Sequence, residues 1–246
     1  INIRTGLVDH YIAAGVEYVS NGAFAPVLYQ DSPDPWYMEK NCFPQKLGVF
    51  ALTEARRAHR YSDGAEILVP AVRMLVEAEF VWGRSRLVQT YCLPKAGTSF
   101  EIMQDIFWNE ADTMLKLEIP AAFKGDYLGQ GMFGSGSLPQ DGTECVSQKW
   151  CGLFGEKHAL TICNSGIYGS HCVGSTISLS LLRASAYAAH PIGARPLVQE
   201  ERFIPRMDQG EHHLHFSICG GDAGVRRKCV DMEAQVLNEA PFIFSA

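Results

Sequence analysis

The sequence predicts an all-β protein, a large antiparallel β-sandwich with very little helix. Three observations carry that prediction. Hydrophobicity alternates with period two over several long runs, as in strands with one buried and one solvated face. Turn chemistry (Asn-Gly, Asp-Gly and glycine-rich stretches) separates the runs at short intervals. No succession of strand–helix repeats can be read; a (β/α) barrel would need about 250 residues of them, the whole of a 246-residue chain. Many strands with few helices at this length make one large all-β domain or two smaller ones.

Taken in order, the elements follow local rules. Asn21-Gly22 is a hairpin-type turn. Asp31-Ser-Pro-Asp-Pro-Trp-Tyr-Met38 holds two carboxylates, two prolines and a tryptophan in eight residues. Proline fixes φ, removes a donor and extends the residue before it, so this is a stiff loop that presents Asp31, Asp34 and the Trp36 ring together. Glu54–His59 is the best helical candidate, and it is short. Asp63-Gly64 marks another turn. Ser99–Glu110 sets Phe100, Ile102, Ile106 and Trp108 against Glu101 and Asp105, and Met114–Pro120 sets Leu115, Leu117 and Ile119 against Lys116 and Glu118. Gly125–Gly142, rich in glycine, reads as the longest loop, and Cys163-Asn-Ser-Gly-Ile-Tyr-Gly169 as a turn. Thr176–Arg183 and His213–Cys219 alternate as half-buried strands. Arg226-Arg-Lys228, beside glycines, reads as a solvated basic turn.

A net charge of -6 with interspersed signs gives no basic patch for nucleic acid. No apolar run approaches a membrane span, so a soluble protein is expected. The eight cysteines form no C-x-x-C pair or zinc-ribbon spacing; reduced thiols in a cytoplasmic protein are the expectation. The chain begins at Ile1 without the regions of a signal peptide, and reads as part of a longer polypeptide.

Several groups invite a chemical reading. Carboxylates beside an aromatic platform, as in the Asp31–Met38 loop, suit a sugar, whose hydroxyls take hydrogen bonds and whose C–H face stacks on a ring. Glycoside hydrolysis needs two facing carboxyl groups, and Asp31, Asp34, Glu144, Glu200, Glu201, Asp208 and Glu211 are candidates whose pairing the sequence leaves open. His213 and His215 share a strand face and could chelate a metal, yet a closed site needs about four ligands; a surface or interface pair is the expectation. Cys145 and Cys151 lack a neighbouring histidine in sequence, and Gly134-Ser-Gly-Ser137 lacks the strand–turn–helix setting of a nucleophile elbow. Trp108 and Trp150 read as core.

Five segments together, spread in order along nearly the entire chain, resemble the C-terminal β-sandwich region of family 38 glycoside hydrolases, the zinc-dependent retaining α-mannosidases, and the bacterial branch most closely. They are Asp31-Ser-Pro-Asp-Pro-Trp-Tyr-Met38, Trp108-Asn-Glu-Ala-Asp-Thr-Met-Leu-Lys-Leu-Glu-Ile-Pro120, Ser147-Gln-Lys-Trp150, the Asn164–Tyr168 turn with Leu181-Leu-Arg-Ala-Ser185, and Asp208-Gln-Gly-Glu-His212. Ala184-Ser185 departs from the family's Ser-Pro, and Cys219-Gly-Gly221 from its histidine-containing strand end.

The resemblance implies a galactose-mutarotase-like supersandwich over residues 1–246, packed in the parent enzyme against an N-terminal catalytic barrel and a helical domain that this chain does not include. It implies an α-mannoside substrate, zinc and an aspartate nucleophile supplied by that N-terminal part, and no catalytic or metal-ligating residue in this chain. Substrate-binding roles carry over to Asp31, Asp34, Trp36 and Arg183, whose planar fork can pair with a carboxylate or a sugar diol. For Arg183 a strand-end ion pair is an equal expectation. Oligomerisation stays open. Two other functions remain: a stand-alone carbohydrate-binding sandwich, and a mutarotase-like aldose epimerase with His212 and Glu144 as acid and base.

Overall fold

The computed structural model describes residues 1–32, 35, 43, 45–57, 60–62, 65–67, 73–186, 204–239, 241 and 244. Among them, strands β1 (Tyr11–Ala13), β2 (Val16–Val19), β3 (Ala25–Gln30), β4 (Lys46–Val49) and β5 (Ala51–Arg57) come first. Then follow β6 (Arg60–Ser62), β7 (Ala65–Ile67), β8 (Arg73–Trp82), β9 (Ser85–Pro94), β10 (Ser99–Trp108) and β11 (Thr113–Pro120). Next are β12 (Asp126–Gly131), β13 (Gly134–Ser137), β14 (Cys145–Val146), β15 (Trp150–Phe154) and β16 (His158–Asn164). Strands β17 (Gly169–Val173), β18 (Thr176–Arg183) and β19 (Gly210–Asp222) precede helix α1 (Ala223–Asn238).

Nine strands form one sheet in the order β13-β12-β15-β16-β19-β10-β9-β8-β5, and six form another, β14-β17-β18-β11-β3-β4. Every pairing in both is antiparallel. Leu28, Leu115, Leu117, Ile177 and Leu179 of the smaller sheet share one core with Phe80, Leu87, Ile102, Ile106, Phe216 and Ile218 of the larger. Each such side chain contributes about 1.5–3 kcal/mol relative to exposure. The molecule is an all-β sandwich, as its alternation predicts. Trp108 and Trp150 are buried, at 0% and 2% exposure. The Asn164 side chain accepts from the Gly166 and Ile167 amides to close the predicted turn.

Three local expectations fail, each for a physical reason. Glu54 falls in strand β5, where Ala55 pairs with Ala78 and Arg56 with Glu77; His59 lies outside the described residues. Cross-strand ion pairs, Arg56–Glu77 at 3.4 Å and Arg86–Glu79 at 2.7 Å, employ the helix-favouring residues on the sheet's exposed face. The Gly125–Gly142 stretch is largely a hairpin of β12 and β13. Two of its glycines permit close packing: a Cβ on Gly125 would lie 2.5 Å from the Phe154 backbone, and one on Gly129 2.6 Å from both Leu138 and Ser147.

The basic cluster at 226–228 belongs to α1, not to a turn. Asp222 caps the helix by accepting from the Val225 amide at 3.0 Å. Ala223, Val230, Ala234 and Leu237 then pack on Trp150, Phe154 and Ala159 of the larger sheet. Arg226, 3% exposed, occupies the same stripe and donates to Thr161 Oγ1 and to Glu233. A charge in an apolar slot hid the period from a sequence reading.

All seven described cysteines are free thiols; Cys42 lies outside the described residues. No helix among the described residues is long and apolar enough to cross a membrane.

Candidate functional site

Register decides which side chains share a face. In β11 the side chains of Leu115, Leu117 and Ile119 enter the core, so Met114, Lys116 and Glu118 face outward. Tyr29 of β3 stands opposite Met114. Across the bulge between Leu115 and Lys116, β18 sets Arg183 beside Met114, Ser180 beside Lys116 and Ser178 beside Glu118. His171 of β17 pairs with Ser178. Arg183, Lys116 and His171, far apart in sequence, therefore share the outer face of the six-stranded sheet.

At one end of this face is a charged corner. Asp31, 5% exposed, follows β3 directly, and its carboxylate accepts Arg183 Nε at 2.6 Å and Nη2 at 3.1 Å. This two-point fork is the geometry that arginine, not lysine, provides. Arg183 Nη1 also donates to the Pro35 carbonyl at 3.2 Å. Arg206 donates to Asp112 at 3.0 Å, and Asp208 accepts the Arg183 amide at 3.0 Å. Asp112 and Asp208 both hold positive φ, 53° and 55°, which costs a non-glycine residue about 1–3 kcal/mol. Asp112 Oδ1, Thr113 Oγ1, Ser185 Oγ and Arg206 Nε are buried here without a hydrogen bond among the described residues. Buried polar atoms ordinarily find partners, so this corner is polar beyond what its own contacts use.

Toward the middle of the face lies a second cluster. Lys116 is fully buried, and its ammonium donates to Glu144 and to Ser180 Oγ at 2.8 Å, with His171 Nδ1 at 3.1 Å. The Tyr29 and Phe43 rings flank it at 5.7 and 5.1 Å. Burial pulls the Lys116 pKa below the ordinary lysine value, against the opposing charge of Glu144. For Glu144, burial pushes upward, but the hydrogen bond from His171, the Lys116 charge and the Ser180 hydroxyl outweigh it and hold the carboxyl below its usual range. Tyr29 donates to Glu118; burial, then that carboxylate, raises its pKa far above the ordinary phenol value.

The residues singled out in the sequence are thus partly accounted for. Asp31 and Arg183 meet each other as an ion pair. Asp34, Trp36, Glu200 and Glu201 lie outside the described residues. The Glu144–His212 acid–base pair does not form. Glu144 stands 3.0 Å from His171, whereas His212 belongs to β19 of the other sheet, its Nε2 2.7 Å from the Asp208 carbonyl. His213 and His215 are surface neighbours of Asp105 and Glu101, at 2.6 and 3.3 Å. Burial pushes the Cys145 thiol up and the Cys151 thiol up to about 12, the reverse of an activated nucleophile. Lys116 and His171 escaped the sequence reading. A lysine in an alternating strand reads as solvated, and a lone histidine in Gly-Ser-His-Cys-Val carries no signal.

No family model matches the chain, and no curated protein matches it. Solved structures do. A protein in the glycosyl hydrolase family 38 from Enterococcus faecalis superposes with a TM-score of 0.67 at 11% identity, over 89% of this chain and 28% of that one. An α-mannosidase from Enterococcus faecalis superposes with a TM-score of 0.65 at 11% identity, over the same 89% and 28%. At that identity the likeness shows the fold alone, and this chain spans little more than a quarter of the length of the proteins whose fold it shares.

Proposed function

We propose that this chain is the C-terminal sandwich portion of a retaining α-mannosidase that hydrolyses terminal α-linked mannose. The observation that carries the proposal is the asymmetric fold likeness: 89% of this chain superposes on 28% of a family 38 protein. The five sequence segments that resemble the same family, in order, support it independently. In this reading the sandwich packs against the catalytic part of its own polypeptide and lends it the polar corner. Arg183 clamps Asp31 and the Pro35 carbonyl. Asp34 and Trp36 then complete the sugar site from the sandwich side, and a positioned loop of this kind acts by orienting the substrate.

Among the described residues no three His, Cys, Asp or Glu side chains converge to hold a metal. In this reading the zinc that the resemblance implies is held by the catalytic part. The free thiols suit the reducing environment of a cytoplasmic enzyme.

The test is to measure aryl α-mannoside turnover and bound zinc for this chain beside the full-length protein. The full-length protein should show both and the chain neither, because a retaining mechanism needs two carboxyl groups about 5–5.5 Å apart across the anomeric carbon. In the full-length enzyme Asp34→Asn and Arg183→Lys should each lower kcat/KM about tenfold or more. Comparable turnover by the chain alone would overturn the proposal and direct the search for a nucleophile to Asp31, Asp34 and Glu144.

A further inference from the structure

The corner lies at one end of the outer face; at the other the face sinks into a cleft of about 580 Å³. Arg183 pairs with Met114 at one end of β11, whereas the cleft-lining Pro120 and Thr176 pair at its opposite end. The volume falls within the roughly 300–1,000 Å³ of ordinary small-molecule sites. Tyr29, Phe43, Lys46, Glu118 and His171 are among its walls.

Of the charges around it two pairs are matched, and Asp141 on the rim, whose Oδ1 accepts the Thr143 amide at 3.0 Å, adds a further carboxylate. Lys46 lies 2.6 Å from Glu118, and Lys116, beneath the cleft, is bonded to Glu144. An anionic ligand would meet the Glu118 and Asp141 carboxylates, and a cationic one would meet the Lys46 ammonium, so fixed charges of both signs oppose a charged ligand. An apolar ligand would strip water from Glu118, Lys46 and His171 and return no hydrogen bonds. What suits the cleft is an uncharged molecule with hydroxyls for the polar rim and a C–H face for the rings. His171 sharpens this. Its Nδ1 is engaged inward, 3.1 Å from Lys116 Nζ and 3.0 Å from Glu144 Oε1, which leaves Nε2 for a group in the cleft. The ring stands edge-on to Tyr29, at 5.9 Å and 84°, and so is held in place.

We propose that this cleft is a binding site for a neutral saccharide, with His171 Nε2 and the Lys46–Glu118 pair as its hydrogen-bonding partners and Tyr29 and Phe43 as its apolar wall. The site binds without reacting. Glu144 and His171 contact each other, so they cannot flank an anomeric centre as acid and base. The proposal does not depend on the mannosidase reading, and a failure of hydrolysis leaves it untouched.

Calorimetric and NMR titration of this chain with methyl α-D-mannopyranoside, D-glucose and mannose 6-phosphate tests it. At least one neutral sugar should bind with a dissociation constant on the order of 1–10 mM, and the phosphate should bind no more tightly. His171→Gln should weaken binding roughly tenfold, the loss of about one good hydrogen bond. Arg86→Ala, on the exposed face of the other sheet, should leave it unchanged. Should His171→Gln fail to fold, Lys46→Ala serves instead, its side chain being 55% exposed, with weakening of about fivefold. Absence of saturable binding by both neutral sugars, tenfold tighter binding of the phosphate, or equal affinity in folded His171→Gln and Lys46→Ala would each overturn the proposal.

Discussion

The corner and the buried lysine cluster sit on one sheet face and are each built on a cation carried by a strand, yet they solve opposite problems. Arg183 reaches Asp31 from a strand end, with 19% of its side chain exposed, through two parallel hydrogen bonds to one carboxylate. Lys116 reaches Glu144 from mid-strand with nothing exposed, and divides its donors between a carboxylate and a hydroxyl beside the His171 imidazole. The fork fixes direction, which suits holding a loop. The ammonium is a point charge whose value depends on keeping every partner. Position along the strand decides the difference: strand ends meet loops and water, and strand centres meet side chains.

The largest expected effect separates the two. Lys116→Met leaves Glu144 buried with no cation and should cost about 3–5 kcal/mol in urea unfolding. Lys116→Met with Glu144→Gln should recover much of that loss, since replacing both members of a buried pair is often near neutral. A double variant no more stable than the single one would show that the lysine is held by packing and not by charge.

At the corner, Arg183→Lys keeps the charge and loses the fork, with an expected cost of about 1–3 kcal/mol. The same measurement checks it. A cost equal to that of Lys116→Met would erase the distinction between fork and point charge.

A pH series sharpens the comparison further. The Glu144 carboxyl is held below its ordinary value of 4.5, so the folded state binds its proton less readily than the unfolded chain does. The stability this contributes is present above the unfolded pKa and is lost as pH falls through the folded one. Wild type should therefore lose more stability than Glu144→Gln between about pH 5 and about pH 3. Parallel curves for the two proteins would place the acid sensitivity elsewhere.

The smallest effect is a control on the other sheet. His213, 75% exposed beside Asp105, should tolerate His213→Gln within about 0.5 kcal/mol. A larger loss would mean that this surface is not free.

The sandwich was legible because its signals are local. Period-two alternation in Ser99–Glu110 and Thr176–Arg183 and the Asn164 turn are properties of a few adjacent residues, and strands β10 and β18 lie where those runs fall. Asp31 and Arg183 were also legible as candidates, through a proline-stiffened loop and a strand-end arginine. Their pairing was not, because 152 residues separate them and only sheet order brings β3 and β18 to either side of β11.

What the sequence by itself determined is the material of each layer: which residues alternate, where the chain turns, and which loop is stiff. The tertiary structure alone decided which polar residues stay dry. Lys116 looks like the solvent side of an alternating strand, but β11 is an inner strand and the Tyr29 and Phe43 rings cover it, so its outward face is an interior as well. Arg226 looks like a surface turn, but its helix lays it against Thr161. In both cases the alternation or charge of one segment is overruled by what a distant segment places on top of it. Burial is a property of neighbours, and for these residues the neighbours are chosen by the fold.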